Sequence, residues 1–468
     1  MIRPLILSLL LAGSAEAALP DAPQPPDAVK KLAHEVLRDA IETNTVHNFG
    51  TTALAEKLAA RFHAAGFSPD DLTLLAPAEY PAQGNLVVRY RGQGKGKPLL
   101  YIAHLDVVEA RSEDWSVDPF KLVEQDGYYY GRGTGDMKGD VAALVTNLIR
   151  MKGEGYVPDR DIIVAFTADE EAGGQSNGVN WLLKNHRDLI DAEFSVNPDA
   201  GGGSSLGDRR LYIGLETSEK VFLTFRIEVT NKGGHSSLPE ADNAIYRLAA
   251  ALGRIDKFSF PVRLGATTKA WFGAMAKMEK GQLRQDMTAM TRPNLDQAAV
   301  KRLEKQPLYN AMLHTTCVAT MLDGGHAENA LPQRAGAMIQ CRTLPDDDQQ
   351  TVQAMLTKAV ADPEVKFSVI TPWLPGPESV ASPKFLARIQ AVVDQMWPHV
   401  PVVPDMDSGA SDSKYTRAAG IPSFGITGIF TDINDVRWHG RDERVPADGY
   451  YQNVEFQYRL IKTLSVAE

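Results

Sequence analysis

Short apolar runs followed by acidic or histidine side chains constrain the fold of this chain more than any other sequence feature. PLLYIA leads into His104 and Asp106, DIIVAFT leads into Glu170 and Glu171, and EFSV stands shortly before Asp199. Each run has the length and composition of a buried strand, and helix-spaced segments lie between them. Strands that alternate with helices predict an α/β fold with a mixed, mainly parallel sheet flanked by helices. The polar side chains would then meet at the carboxyl edge of that sheet, where open α/β sheets bind ligands.

The middle of the chain has a different pattern, which indicates an inserted domain. Val221–Thr230 alternates between apolar and polar residues, as a strand with one exposed face does. The segments predicted after it are a helix over 243–255, strands over 315–322 and 335–344, a helix over 346–360 and a strand over 365–370. This β-α-β-β-α-β order is the ferredoxin-like pattern. The sequence therefore predicts a catalytic domain in two parts, 27–220 and 377–468, interrupted by a ferredoxin-like domain over 221–376. Its methionine-rich stretch 263–312 has no clear strands, and we interpret those methionines as core or interface residues.

The amino-terminal segment 1–17, MIRPLILSLLLAGSAEA, has the features of a secretory signal peptide. Arg3 supplies a positive start, 5–12 form a short apolar run, and the small residues that end the segment fit cleavage near Ala17. A membrane anchor is the alternative, but the run is much shorter than the ~20 residues that a span needs. A proline-rich lead-in follows over 18–26. We therefore expect an exported protein, periplasmic or secreted, without stable membrane insertion.

Composition excludes several functions. The chain has 49 basic and 59 acidic residues, a net charge of −10 and no arginine- or lysine-rich stripe, so nucleic-acid binding is not expected. Its two cysteines, Cys317 and Cys341, are too few for a disulfide framework or a four-cysteine zinc site. They stand at mirrored positions about the loop between two predicted strands and could face each other. The sequence does not decide whether they form a disulfide. What remains is a large acidic enzyme or binding protein.

Two further segments add side chains of the kinds that bind metals. The glycine-rich stretch 131–139 brings Asp136 ahead of a helix, and His439 stands in a W-H-G triplet near the carboxyl terminus. Several carboxylates in one crevice repel one another unless one or two divalent cations lie between them. Histidine and carboxylate ligands without thiolates suit zinc, with cobalt or manganese as substitutes. His104 and Asp106 are two residues apart on extended backbone, so the carboxylate can accept the second ring N–H of the histidine.

Two other enzyme classes do not fit the same segments. The glycines of 131–139 lack the G-x-G-x-x-G spacing of a dinucleotide-binding loop, and no acidic residue closes a βαβ unit at the required distance. No G-x-S-x-G follows a strand, which excludes an α/β serine hydrolase. A metal site is therefore the interpretation that the sequence favours.

Taken in order, the motifs H-x-D, G-x-G-x-x-D-x-K-G, D-E-E and a late W-H-G resemble those of the dizinc exopeptidase and amidohydrolase family. That family includes glutamate carboxypeptidase, aminoacylase, carboxypeptidase S and succinyl-diaminopimelate desuccinylase. The resemblance covers most of the chain after 1–17. The stretches 104–108, 115–120 and 131–139 look most like the carboxypeptidase S and N-acyl-amino-acid hydrolase branch.

The resemblance implies a set of ligands for two zinc ions. Asp136 would bridge the two ions. His104 and Asp199 would complete the protein ligands of one ion, and Asp199 stands where the family often has glutamate. Glu171 and His439 would complete the ligands of the other.

The resemblance also implies catalytic roles. Glu170 would be the general base that activates a water between the metals. A carboxylate that ligates a metal strongly is a poor base, so Glu171 would serve as the ligand and its neighbour Glu170 as the base. Asp106 would orient His104. His235, in a G-G-H-S segment of the inserted domain, would help to stabilise the oxyanion.

Substrate-binding residues follow from the same resemblance. Asn329 and Arg342 match positions that hold the substrate carboxylate, and a bidentate arginine suits a free carboxylate better than a lysine does. Gly409 and Ser411 match a substrate-lining loop, although threonine is commoner at the position of Ser411.

The expected activity is hydrolysis of an amide bond next to a carboxyl-terminal free amino acid, by a carboxypeptidase or dipeptidase. The substrate would be a small peptide or an N-acyl amino acid. An aminoacylase is the alternative within this class, and a metal-binding protein without catalysis is the alternative outside it. The alternating strand Val221–Thr230 and the family resemblance also predict a homodimer through the inserted domain, in which that domain acts as a lid.

Overall fold

The computed structural model of the chain describes residues 22–172, 174 and 176–467. The predicted signal peptide 1–17 and the first part of the lead-in lie outside the described residues. The described residues divide into two compact units. The first unit comprises the chain up to Glu216, Val380–Val403 and the chain from Ser411 onward, and the second comprises Thr217–Ser379 and Pro404–Ala410.

The helices are α1 (Asp27–Ile41), α2 (Thr52–Ala64), α3 (Lys138–Gly153), α4 (Gly178–Asn185), α5 (Arg187–Ile190), α6 (Ala244–Asp256), α7 (Ala266–Met278), α8 (Gly281–Ala289), α9 (Gln297–Leu303), α10 (Pro307–Leu313), α11 (Gln349–Val360), α12 (Pro383–Met396), α13 (Ser413–Ala418) and α14 (Ala447–Leu464). The strands are β1 (Leu72–Leu75), β2 (Asn85–Tyr90), β3 (Leu99–His104), β4 (Val123–Gln125), β5 (Tyr128–Tyr130), β6 (Ile162–Thr167), β7 (Phe194–Asn197), β8 (Gly202–Leu206), β9 (Arg209–Glu219), β10 (Val221–Thr230), β11 (Gly234–His235), β12 (Thr316–Gly324), β13 (Ala330–Leu331), β14 (Arg334–Thr343), β15 (Lys366–Thr371), β16 (Val402–Asp407), β17 (Ser423–Gly425), β18 (Phe430–Asp432) and β19 (Arg444–Pro446). Among the helices of the described residues, none has both the length and the apolar character that crossing a membrane requires.

The first unit is built on a mixed sheet in the order β1-β2-β6-β3-β7-β17-β9-β8-β18. Its central strands β6, β3, β7 and β17 run parallel, as strands separated by helices do. Successive residues of buried strand β3 point to opposite faces of the sheet. Tyr101 belongs to the core that holds Leu37 of α1 and Val141 of α3, whereas Ile102 belongs to a separate core with Leu182 of α4. Helices therefore cover both faces of the sheet, which confirms the predicted α/β architecture.

The second unit contains an antiparallel sheet in the order β12-β14-β10-β15. Phe225 and Ile227 of β10 form its core with Leu248 of α6 and Leu356 of α11. Because α6 lies between β10 and β12 in the chain, and α11 lies between β14 and β15, the long elements follow the β-α-β-β-α-β order. The compact unit extends slightly beyond the predicted range 221–376 at both ends.

Helices α7 to α10 occupy the methionine-rich stretch 263–312. Met275, Met287, Met290 and Met312 are buried there. This agrees with their interpretation as core residues, since flexible thioether side chains fill the irregular gaps between short helices.

The alternating strand Val221–Thr230, from which the homodimer is partly predicted, lies inside the second unit's sheet. As β10, the strand pairs with β14 on one side and with β15 on the other, so it is an internal strand. Alternation reports only which face of a strand is buried, and it carries no information about the neighbours in the sheet. At the sheet's β12 edge, Val318, Met321 and Leu322 are exposed.

Cys317 on β12 and Cys341 on β14 stand directly opposite each other and form a disulfide. The pairing that the sequence leaves open is therefore made. The bond joins the edge strand to its inner neighbour, one residue before Arg342.

Candidate metal centre

Parallel strands bring three polar segments to one edge of the first unit's sheet. Strand β3 ends at His104, β6 ends shortly before Glu170 and Glu171, and β7 ends shortly before Asp199. These strands are neighbours and run in the same direction, so their carboxyl ends lie together. The structure thus brings these side chains together as the sequence predicts.

Within the described residues, His104, Asp136 and Asp199 form one group suited to a metal ion, with their ligand atoms within 4.8 Å of one another. The Nε2 atom of His104 lies 3.1 Å from Oδ1 of Asp136 and 3.4 Å from Oδ1 of Asp199. On the other side of the ring, Nδ1 lies 3.0 Å from the backbone carbonyl of Asp106. That carbonyl can only accept, so Nδ1 carries the proton of the neutral ring and Nε2 is left as the ligand atom.

Asp136 also belongs to a second group of the described residues, together with Glu171 and His439. The Nε2 atom of His439 lies 3.1 Å from Oδ2 of Asp136 and 2.9 Å from Oε2 of Glu171. The two oxygens of Asp136 therefore face different histidines. A carboxylate shared in this way fits between a pair of divalent cations, and the imidazole and carboxylate donors suit zinc.

Crowded charges determine the protonation of this cluster. Burial would raise the pKa of Asp136, but hydrogen bonds from His104 and His439 outweigh it and hold that pKa well below its usual range. Burial raises the pKa of Asp199 to about 6, and the negative charges of Asp136 and Glu171 act in the same direction. Hydrogen bonds to Asp136 and Glu171 raise the pKa of His439 to about 10. Cations between these carboxylates would remove the repulsion, so the residues present fit two metal ions.

Asp106 occupies the expected place but makes different contacts from those predicted. Its carboxylate accepts hydrogen bonds from the backbone N–H groups of Glu170, at 3.1 Å, and Glu171, at 3.0 Å. Its Oδ1 atom lies 3.7 Å from Nδ1 of His104, and the backbone carbonyl takes the ring N–H instead. Strand β3 ends at His104, so Asp106 lies outside the strand in which side chains alternate between the two faces. Asp106 therefore holds the backbone of the Glu170–Glu171 segment directly.

Glu170 belongs to neither group of ligand-type residues. Burial raises the pKa of Glu170 well above its ordinary value, and the negative charges of Asp199 and Asp412 add to the effect. The preceding Asp169 has φ 62°, and its carboxylate lies 2.7 Å from Nδ1 of His47. A carboxylate whose pKa is raised in this way is a stronger proton acceptor than an ordinary one, which suits a general base.

Ser411 lies in the first unit behind the end of β7. It is buried, and its Oγ accepts hydrogen bonds from Nδ2 of Asn197 and from the backbone N–H of Ser413, both at 3.2 Å. The next residue, Asp412, accepts a hydrogen bond from Nδ2 of Asn177 at 2.6 Å. The loop therefore supports the segment that carries Asp199.

His235 and Asn329 lie together in the second unit. The short strands β11 and β13 pair His235 with Ala330, and the backbone carbonyl of Asn329 accepts the N–H of Ser236 at 3.1 Å. His235 is exposed. Its Nδ1 atom accepts the backbone N–H of Ser237 at 3.2 Å.

Arg342 and Gly409 also belong to the second unit. Arg342 lies on β14, with its guanidinium carbon 4.8 Å from the ring centroid of Phe222. Its Nη1 atom is buried and makes no hydrogen bond within the described residues. Burial lowers the pKa of Arg342, while the nearby carboxylate of Asp407 opposes this shift. The N–H of Gly409 donates to Oδ1 of the same Asp407 at 2.7 Å.

Sequence patterns do not identify several buried polar residues behind the site. Arg132, Asn177 and Glu443 are among them, and each is hydrogen-bonded to a segment that carries a predicted site residue. One sequence feature does indicate that such a residue is needed. The glycine-rich stretch 131–139 has backbone N–H groups that require a hydrogen-bond acceptor. Nothing in the sequence indicates which of the many acidic residues supplies it.

A cavity of about 430 Å³ opens beside His439 in the first unit. Trp115 and the side chains of Arg111, Arg132 and Arg441 form part of its wall. A volume of this order accommodates a small substrate.

The sequence profile of peptidase family M20/M25/M40 matches residues 100–463. The N-fatty-acyl-amino acid synthase/hydrolase PM20D1 of Homo sapiens is 29% identical over 377 residues, which cover 78% of this chain and 74% of that protein. The probable carboxypeptidase S-like 2 of Dictyostelium discoideum is 29% identical over 392 residues, which cover 81% of this chain and 74% of that protein.

A solved structure supports the same fold. The M20 family metallo-carboxypeptidase Sso-CP2 from Sulfolobus solfataricus aligns with a TM-score of 0.69 at 16% identity, over 92% of this chain and 99% of that chain. The family profile spans every segment from which the metal centre is built, and it confirms the resemblance seen in the sequence. The chain therefore belongs to peptidase family M20/M25/M40, and it is a metal-dependent hydrolase.

Proposed function

We propose that this protein is an exported zinc-dependent carboxypeptidase or dipeptidase, which cleaves the amide bond next to a carboxyl-terminal free amino acid. The observation that carries the proposal is the pair of ligand groups that share Asp136, with Glu170 directly beside Glu171 in the chain. A bridging carboxylate and a neighbouring unligated acid are the parts that two-metal amide hydrolysis needs.

Two zinc ions are the proposed cofactor, and cobalt or manganese can replace them. His104, Asp136 and Asp199 would hold one ion. Asp136, Glu171 and His439 would hold the other. When bound, the ions supply the Lewis acidity that lowers the pKa of a water and polarises the amide carbonyl.

Glu170 is the proposed general base. Its carboxylate accepts a proton from the attacking water and then donates that proton to the nitrogen of the leaving amine. Its raised pKa suits it to both transfers. Asp106 fixes the backbone of Glu170 through the 3.1 Å hydrogen bond to its N–H, which limits where the carboxylate can move.

His235 is the proposed oxyanion donor. The backbone N–H of Ser237 can only donate, so Nδ1 of His235 is an acceptor and the proton of the neutral ring is on Nε2. An N–H that is free to point at the substrate is the donor that a developing oxyanion requires. Asn329 comes directly before the paired strand β13, next to His235, and is proposed to hold the substrate carboxylate.

Arg342 is proposed to bind the free carboxylate of the substrate, together with Asn329. Its buried Nη1 atom has no hydrogen-bond partner within the described residues, so a carboxylate bound there would satisfy an otherwise costly donor. The planar guanidinium also offers two parallel hydrogen bonds, which gives selectivity for carboxylate. Gly409 and Ser411 complete the proposed substrate-binding set.

A kinetic panel tests the proposal. Purified protein is assayed on dipeptides and N-acyl amino acids, with and without a chelator, and as the Glu170→Gln variant. We expect the chelator to abolish hydrolysis, added zinc to restore it, and Glu170→Gln to lower kcat by about 10²–10⁴-fold. Glu124→Gln, on the exposed strand β4, is the matched control and is expected to keep full activity. Full activity after chelation or in Glu170→Gln would contradict the mechanism.

An N-acyl-amino-acid hydrolase is the second candidate function. The similarity to PM20D1, whose name gives N-fatty-acyl amino acids as its substrates, favours it. The two candidates are separated by kcat/KM, because dipeptides are the better substrates of a peptidase and long-chain or acetyl N-acyl amino acids are the better substrates of an acylase. A metal-loaded protein that hydrolyses neither class would instead indicate a binding protein without catalysis.

A homodimer through the second unit is also proposed. The exposed apolar side chains of edge strand β12, Val318, Met321 and Leu322, are continuous with Ile245 of α6, whose side chain approaches Gly324. An open apolar edge of this kind is a surface for strand pairing with a second copy. Light scattering at micromolar concentration is expected to show a dimer that Leu322→Lys dissociates. A monomeric parent protein would contradict the proposal.

Export rests on the signal-peptide features of the sequence. Expression of the full chain with cell fractionation and amino-terminal sequencing is expected to give an exported protein that begins at Ala18. Retention of Met1 on the protein inside the cell would contradict it.

A further inference from the structure

Glu443 lies beneath the glycine-rich turn that carries Asp136. It is 1% exposed, and its Oε1 atom accepts the backbone N–H groups of Gly135, at 2.8 Å, and Asp136, at 3.1 Å. Its Oε2 atom accepts the N–H of Gly133, at 3.1 Å, and Nη1 of Arg132, at 2.6 Å. One buried carboxylate therefore accepts three backbone N–H groups of the turn. Hydrogen bonds to an ionised acceptor are about twice as strong as neutral ones.

The turn can adopt this shape only because small residues and one acceptor act together. Gly133 has φ 91°, a conformation that favours glycine. A Cβ atom at Gly135 would lie 3.0 Å from the ring of Trp438. N–H groups that converge in this way repel one another unless an anion lies at their focus, and Glu443 is that anion.

Arg132 extends the same contact to the segment that carries His439. Arg132 is 2% exposed, and its Nη2 atom donates to the backbone carbonyl of Gly440 at 2.9 Å. Its guanidinium lies 5.0 Å from the centroid of the Trp115 ring. The buried Arg132–Glu443 ion pair therefore joins the turn of Asp136 to the loop of His439, whose Nε2 lies 3.1 Å from Asp136.

The two ligand groups differ in the surrounding structure that fixes their residues. His104 ends the fully buried strand β3, and Asp199 follows β7, so the central sheet fixes both. His439 lies outside any helix or strand, its side chain is 55% exposed, and its φ of 58° is strained for a residue with a Cβ atom. The His439 side of the site therefore depends on local contacts much more than the His104 side does.

We propose that Arg132 and Glu443 are positioning residues that set the separation of Asp136 from His439, and that they control affinity for the second metal specifically. The inference rests on the proposed two-metal site. Loss of the ion pair is expected to weaken the site of Asp136, Glu171 and His439 much more than the site that Asp136 forms with His104 and Asp199, because the central sheet fixes the latter two ligands. Contacts that orient metal ligands change affinity by about 10–100-fold when they are lost.

Stepwise metal titration tests this directly. Metal-free protein is titrated with Zn²⁺ against a chromogenic chelator, as the parent protein and as the Glu443→Gln and Arg132→Lys variants. Glutamine keeps the shape of Glu443 but turns one acceptor into a donor that faces N–H groups, and lysine cannot bridge Glu443 and Gly440. We expect two ions in the parent protein, and in each variant one ion bound nearly as tightly as in the parent protein and a second weakened about 10–100-fold.

Asp286→Asn is the matched control, because Asp286 is a buried carboxylate that pairs with Arg302, at 2.7 Å and 2.8 Å, on helices α8 and α9 of the second unit. It is expected to lower the thermal stability and to leave both affinities unchanged. Parental affinity for both ions in Glu443→Gln and Arg132→Lys, or an equal loss at both sites, would overturn the inference. If Glu443→Gln does not fold, Arg132→Lys alone decides, since it keeps a positive charge beside Glu443 and removes the bridge to the carbonyl of Gly440. Fewer than two ions bound by the parent protein would overturn the proposed function itself.

Discussion

Asp136 has its central place because its two oxygens face different histidines. Oδ1 is directed to His104 and Oδ2 to His439, at 3.1 Å in both cases. The backbone beneath it is fixed by Glu443, so the carboxylate has little freedom to turn. A side chain with a single acceptor oxygen could not face both histidines in this way.

Arg342 gives a prediction about substrate recognition. Because lysine cannot offer two parallel hydrogen bonds, Arg342→Lys is expected to lower kcat/KM on substrates with a free carboxylate by about 10–100-fold, mainly through KM. The comparison is made with the same substrates amidated at the carboxyl terminus, on which the variant and the parent protein are expected to be equally slow. An equal loss of kcat/KM on both kinds of substrate would show that Arg342 does not bind the substrate carboxylate.

Asp140 gives a prediction about pH. Its carboxylate is buried on α3 and accepts hydrogen bonds from Asn453, at 2.8 Å, and Thr427, at 2.9 Å. Burial raises the pKa of Asp140 from 3.8 to about 7. The folded protein therefore holds a proton that the unfolded chain has lost, so this group's contribution to the free energy of unfolding falls as pH rises between those values, by at most about 1.4 kcal/mol per pH unit.

Asp140→Asn removes this titration. Urea unfolding at pH 5 and pH 8 is expected to show the stability of the variant improving relative to the parent protein as pH rises. A stability difference that is the same at both pH values would contradict the prediction.

At the residue scale, the site residues that follow strands could be predicted from the sequence. The buried polar residues that hydrogen-bond to the backbone of the site, such as Glu443, could not. His104, Glu171 and Asp199 were identifiable because parallel strands end at one edge. Glu443 was not, since it contacts Asp136 from 307 positions away in the chain and its neighbours carry no periodic pattern. The acceptor that Asp106 offers to His104 was predicted incorrectly, since its backbone carbonyl, and not its carboxylate, accepts the ring N–H.

At the element scale, the disulfide ties edge strand β12 to β14 and gives a stability prediction. Cys317 and Cys341 are 24 positions apart, and closing a loop of this length stabilises a domain by about 3 kcal/mol. The Cys317→Ser, Cys341→Ser double variant is expected to unfold in urea with a free energy lower by about that amount. The parent protein treated with a reductant is expected to match it, and a reductant effect that persists in the double variant would contradict the assignment.

Long elements with a clear period were predictable, and short ones were not. Strand β10 has the predicted bounds, because its apolar pattern is set by burial in a sheet. Strands β4, β5 and β19 are three residues each and form a small separate sheet, so they have no period to detect. Helices α7 to α10 were recognised only as a region without strands, since their apolar residues serve a core of short helices.

At the scale of the whole molecule, the second unit interrupts the first in the chain, which explains why strand and helix patterns change after Glu219 and change back after Ser379. The segment Pro404–Ala410 also belongs to the second unit, and the sequence did not predict this. Its membership depends on tertiary contacts, such as the hydrogen bond from the N–H of Lys220 to the carbonyl of Asp407 at 2.9 Å. Contacts between residues this far apart in the chain leave no local pattern.

Anomalous scattering from crystals of the zinc-loaded protein tests the central claim most directly. A map calculated at the zinc edge locates each ion independently of any assumed ligand. We predict one peak between His104 and Asp199, a second between Glu171 and His439, and a carboxylate oxygen of Asp136 bound to each, about 3.5–4 Å between the ions. A single peak, or peaks that do not contact Asp136, would contradict the account.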